Sequence, residues 1–180
     1  MRFKFKPLIL LFILPFIVSC VDNADFNQID VDIEPIVNAP LVYFELDQLD
    51  FLEDTGAEVV TISDVTDIDI FQTSTIRNNL GRVDLIISMQ KDFPRGFQVR
   101  IAFLDDNLVP TYELNNIPFA ASRTEVEFRE NIAIQANPDI LNTTKMRVEI
   151  ELIPSNGSPI DPDVNWELEF RSAGIFYLFF

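Results

Sequence analysis

KMRVEIEL, residues 145–152, sets Met146, Val148, Ile150 and Leu152 on one side of the chain and Lys145, Arg147, Glu149 and Glu151 on the other. An apolar group at every second position makes one dry and one wet face only if the chain is extended; a helix would scatter the same groups around its circumference. RVDLIISMQ repeats the pattern with Val83, Leu85, Ile87 and Met89, and VNWELEFR repeats it with Val164, Trp166, Leu168 and Phe170. A strand with one wet face belongs to antiparallel sheet, because strands of parallel α/β layers are covered on both faces and read as continuous apolar runs. Further strands are predicted at LVYFEL (41–46), AEVVTI (57–62), DIDIFQ (67–72), GFQVRIAFL (96–104), LVPTYEL (108–114) and TEVEFR (124–129). Asp54-Thr55-Gly56, 91–96, Asp105-Asp106-Asn107 and 154–163 supply turn residues between them. Ser74 to Gly81 is predicted as one short helix and Asn137 to Asn142 as a further turn. This spacing predicts an all-β domain over residues 41–180, an antiparallel two-sheet β-sandwich of immunoglobulin-like or jelly-roll-like type.

The last ten residues, RSAGIFYLFF, are apolar on both faces. Ser172, Gly174, Tyr177 and Phe179 resemble the closing signal of outer-membrane β-barrels, but barrel strands need about 9 to 11 residues to cross a membrane and most strands here read shorter. Two placements remain: a central strand covered on both faces, or a strand that turns Tyr177 and Phe179 toward a partner.

At the other end, MRFKFK carries Arg2, Lys4 and Lys6 and precedes the twelve apolar residues Pro7 to Val18. Basic, apolar and small residues in that order form a secretory signal, too short to span a hydrocarbon core that needs roughly 20 helical residues. Ile17-Val18-Ser19-Cys20 resembles the bacterial lipobox, which implies cleavage after residue 19 and a diacylglycerol thioether on Cys20. The alternative is an ordinary signal followed by a free or intermolecularly paired thiol. Several acyl chains at about 0.8 kcal/mol per buried methylene anchor a protein without spanning anything. Residues 20–40, rich in Asp and Asn, read as the lipidated N-terminus and tether; Ile29, Val31 and Ile33, alternating with Asp30 and Asp32, also fit a first strand.

Without residues 1–19, ten basic residues face 29 acidic ones, a net charge of −19. That balance repels nucleic acid and disfavours an electrostatic grip on anionic headgroups, leaving the lipid as the membrane contact. A single cysteine forms no internal disulfide. With no histidine, Ser-His-Asp and histidine-bearing zinc sites are excluded, and only Lys91 and Lys145 remain for a Ser-Lys dyad. No glycine-rich phosphate loop occurs among five glycines. The sequence therefore predicts no catalytic residue, no enzyme and no cofactor beyond the lipid. Calcium needs only oxygen ligands, and its weak candidates are Asp64, Asp67 and Asp69, then Asp105 and Asp106, then Asp161 and Asp163; Asp is equally what tight turns prefer. A glycan would want exposed aromatics, and Trp166 lies on the apolar side of its strand.

DFNQID and DIEP in the tether, FLDDN, NPDILNTTKMRVEIEL and the ending FRSAGIFYLFF resemble small lipoproteins of Bacteroidota, of flavobacterial type. The resemblance implies attachment to the outer membrane, on either its periplasmic or its surface side, and supplies no activity. The expected function is a non-catalytic binding or structural role beside an envelope protein partner, with glycan binding or calcium-dependent adhesion as alternatives.

Overall fold

The computed structural model describes residues 34–154 and 159–180. Within them the alternating segments form β1 (Ile36–Asp47), β2 (Thr61–Asp67), β3 (Leu80–Lys91), β4 (Phe97–Leu104), β5 (Pro110–Glu113), β6 (Ile117–Phe119), β7 (Glu125–Ala133), β8 (Lys145–Leu152) and β9 (Glu167–Leu178), with one short helix, α1 (Ser74–Asn79). One sheet has the order β1-β9-β3-β7; the other has β2-β8-β4-β5, with β6 on the same central strand β4. Every pairing is antiparallel. β5 and β6 together act as one strand interrupted at Leu114–Asn116. With β5 and β6 counted as one strand, only the step from β4 to β5 joins sequence neighbours within a sheet, and every other connection crosses the sandwich. Immunoglobulin domains instead keep consecutive strands such as A and B side by side. Of the two architectures the sequence allowed, this winding is the jelly roll, two Greek keys closed face to face.

The inward rows are those the alternation marks. Met146, Val148, Ile150 and Leu152 on β8 and Val83, Leu85, Ile87 and Met89 on β3 are all buried. Phenylalanine fills the space between: Phe71 packs edge-on against Phe176 at 5.6 Å and against Phe103 at 6.2 Å, all three fully buried. Gly174 makes this possible on β9, since a Cβ there would meet the Phe176 ring at 2.5 Å.

β9 is central, between β1 and β3. One part of that expectation is corrected: no second layer among the described residues covers its outer face, where Ala173, Ile175 and Tyr177 are half-buried only by neighbouring strands. Other predicted elements also shift. Residues 67–72 are not a strand beyond Asp67, because Ile68 and Phe71 both enter the core three residues apart, a helical interval, and Ile70–Gln72 winds as a 3₁₀ turn. Over 57–62 the strand itself starts at Thr61; before it Glu58 makes an isolated bridge to Leu52, and its side chain binds Arg95. Val164 is exposed in a turn and β9 starts at Glu167, so the inward row of VNWELEFR begins with half-buried Trp166. α1 ends at Asn79, and Gly81 belongs to β3. β1 takes in residues 36–40, assigned above to the tether; residues 20–33 of that segment, with Cys20, Ile29, Val31 and Ile33, lie outside the described residues.

Candidate interaction surface

Register builds one surface that no single strand announces. On the outer face of the first sheet β1 sets Tyr43, Glu45 and Asp47 opposite Arg171, Glu169 and Glu167 of β9. On the far side of β9, Ile86, Ser88 and Gln90 of β3 face Ala173, Arg171 and Glu169. The face therefore carries an acidic band at one end and an apolar patch at its middle.

The middle is concave because β1 bulges between Pro40 and Val42. An edge strand tolerates both the bulge and the proline, which would break a central ladder. The buried Ser172 hydroxyl secures the irregularity: it accepts from the Val42 N–H at 3.1 Å and donates to the Val42 carbonyl at 3.3 Å. The result is a hollow of about 480 Å³ lined by Pro40, Leu41, Tyr43, Ile86, Arg171 and Ala173. Tyr43 is 57% exposed on its rim. Its hydroxyl donates to Glu45, a bond that holds the phenol above its ordinary pKa, and the Arg171 guanidinium lies 5.6 Å from its ring while pairing with Glu169.

In the acidic band, Glu45, Glu167 and Glu169 bring carboxylate oxygens within 4.8 Å of one another. Such oxygens suit calcium, but Glu45 and Glu169 are already engaged by Tyr43 and Arg171. Two polar hollows of about 460 and 450 Å³ flank the trio and share Asp92 and Glu167. The outer face of the other sheet differs in kind, for there Arg100 binds both Glu149 and Glu151.

The residues singled out from the sequence lie elsewhere. Asp67 pairs with Lys145, and Asp64 stands exposed on β2. Asp105 Oδ1 accepts from the N–H groups of Asn107 at 2.9 Å and Val109 at 2.8 Å, closing the β4–β5 hairpin beside Asp106. Asp69 precedes a 3₁₀ turn, and Asp161 accepts from the Asp163 N–H. Among the described residues these aspartates build turns and one ion pair, and the converging carboxylates are the three glutamates. Lys91 is buried, donating to the carbonyls of Phe93 at 2.9 Å and Ala121 at 3.3 Å, and burial pushes its ammonium below the ordinary value. Tyr112 turns to Glu130, and Tyr177 lies beneath Arg82, whose guanidinium is 3.7 Å from the ring centroid. Phe179 folds across Gly81 and stays half exposed.

No family model matches the chain, and no curated protein matches it. Among solved structures it is similar to a Parabacteroides distasonis protein described as secreted, with a TM-score of 0.48 at 12% identity over 63% of this chain and 37% of that one. It is similar to the VP2 subviral particle of infectious bursal disease virus, at 0.45 and 12% over 80% of this chain and 32% of that one. It is also similar to the disulfide-linked pili of Bacillus endospore appendages, at 0.37 and 11% over 81% of this chain and 91% of that one. The chain thus spans about a third of the length of the first two.

Proposed function

We propose that this protein is a lipid-anchored, non-catalytic binding lipoprotein of the outer membrane, whose partner is an envelope protein held on the outer face of the β1-β9-β3-β7 sheet. The observation that carries the reading is the hollow around Tyr43. An amphipathic aromatic at the rim of an apolar depression, with an arginine beside it, is the composition of protein interfaces, which are enriched in Tyr and Arg. A glycan platform needs stacked, accessible rings; here Tyr112 faces inward to Glu130 and Tyr177 is capped by Arg82. The two lysines that a Ser-Lys dyad would need are bound elsewhere, Lys91 to carbonyls and Lys145 to Asp67.

Site-specific photocrosslinking in native membranes tests the reading. A photoreactive side chain at Tyr43 is expected to give one discrete protein adduct, and the same group at Glu151 on the opposite sheet is expected to give none. Equal adducts from both positions, or none from either, would overturn it.

A further inference from the structure

The end of the sandwich where the chain enters β1 is exposed and apolar. Ile36, the first residue of β1, is 55% exposed and pairs with Tyr177; the Leu178 N–H binds the Pro35 carbonyl at 3.1 Å. The residues after β9 stay at this end, with the Phe179 N–H on the Asn79 carbonyl at 2.8 Å, and Phe180 is 74% exposed. A chain of contacts extends the same end to the second sheet. Arg77 of α1 reaches Asn142, and the Thr144 N–H binds the Leu104 carbonyl. Leu104 opens the β4–β5 hairpin, whose tip exposes Leu108 and Val109. Leu108 sits at φ +63°, a left-handed conformation unfavourable for a residue with a Cβ.

The occupant follows from where the tether joins. Only fourteen residues separate Cys20 from Pro35, a reach of at most about 50 Å, and they arrive beside Ile36. We propose that this end of the sandwich seats on the bilayer surface, with Ile36, Val109, Phe179 and Phe180 as its interfacial contacts. The inference rests on the reading of Cys20 as the lipidated residue. Once an anchor holds the domain at the membrane, a second contact is intramolecular and weak apolar side chains suffice. The charges fit the same orientation. The seated end is net acidic, with Arg77, Arg82 and Lys145 among Glu34, Asp67, Asp69, Asp84, Asp105, Asp106 and Asp139, which suits zwitterionic rather than anionic headgroups. The Glu45, Glu167 and Glu169 band lies at the other end of β9, about 33 Å away by strand rise, well beyond a screening length of about 8 Å. The Tyr43 hollow would then stand between, on a wall roughly perpendicular to the membrane.

The test uses the full chain, expressed with its signal, purified from membranes and reconstituted in phosphatidylcholine vesicles. Mass spectrometry of the Cys20 peptide first reads the anchor: a free thiol there overturns the anchoring reading and this proposal with it. In lipidated protein, tryptophan placed as Phe180→Trp or Val109→Trp is expected to emit at shorter wavelength and to be quenched by acyl-brominated phosphatidylcholine. Val164→Trp, at the opposite end, is expected to do neither. Lipid on Cys20 with no quenching at Phe180→Trp or Val109→Trp, or with equal quenching at all three positions, overturns the seating while leaving the anchor intact.

Discussion

Glu58→Gln is expected to destabilise the domain by about 2 kcal/mol, although it alters a polar side chain that is only partly buried. Arg95 reaches inward with only 7% of its side chain exposed, and Glu58, 26% exposed, binds it at 2.7 Å and 3.3 Å. The same carboxylate accepts the Ile160 N–H at 2.9 Å, and Arg95 also donates to the Ile153 carbonyl. Glu58 therefore joins three connections: the segment before β2, the turn before β4 and the loop after β8. Removing one member of a fully buried pair costs about 3–5 kcal/mol because the other charge is left uncompensated; water reaching Glu58 lowers that here to about 2. Arg95→Met removes the buried charge instead and leaves the carboxylate free to turn to solvent, so it is expected to cost less than Glu58→Gln.

The pH dependence follows from the same contacts. The hydrogen bond from Arg95 holds the Glu58 carboxyl below its ordinary value, with the Ile160 N–H adding to it. The stabilisation is thus fully present above the unfolded value near 4.5 and is lost as pH falls through the lower folded value. Urea denaturation of both proteins from pH 7 downward reads the difference. The reasoning is refuted if the midpoints coincide at pH 7, or if the gap does not narrow in acid.

Phe71→Ala is expected to cost about 3–5 kcal/mol in the same assay, since the ring is fully buried against two others; a cost under about 1 kcal/mol would mean the core collapses into the space. Ser172→Ala is expected to cost about 1–2 kcal/mol by removing the hydroxyl that serves Val42, while Ser88→Ala on the outer face leaves the midpoint unchanged. Tyr112 is pushed up to about 12, first by burial and then by its hydrogen bond to Glu130. Its contribution is present below pH 10 and lost between 10 and 12, so Tyr112→Phe is expected to flatten stability across that window.

The sheets were legible because they repay a two-residue rhythm: β3, β4 and β8 fall where alternation puts them, KMRVEIEL to the residue. Where a segment buries residues three apart, as Ile68 and Phe71 do, the rhythm fails and so does the reading. The surface was illegible for a different reason. Tyr43 and Arg171 stand 128 positions apart in the chain, and nothing in either strand shows that they are register partners. The outward triplets of β1 and β9, Tyr-x-Glu-x-Asp and Glu-x-Glu-x-Arg, were visible only as separate wet faces. Acidic content misled in turn, since the aspartates that cluster in sequence are spent on turns, and the carboxylates that converge in space come from two distant strands.

The place of β9 also bears on when the domain can exist. It follows every other described strand in the chain and yet lies between β1, the first of them, and β3. Until residues 167–178 leave the ribosome, β1 has no partner in its sheet and the core lacks Leu168, Phe170 and Phe176. Pairings this distant in sequence close slowly. A nascent chain shorter than this would stay unfolded, and a prematurely terminated one would be left open to proteolysis instead of accumulating as a misfolded shell.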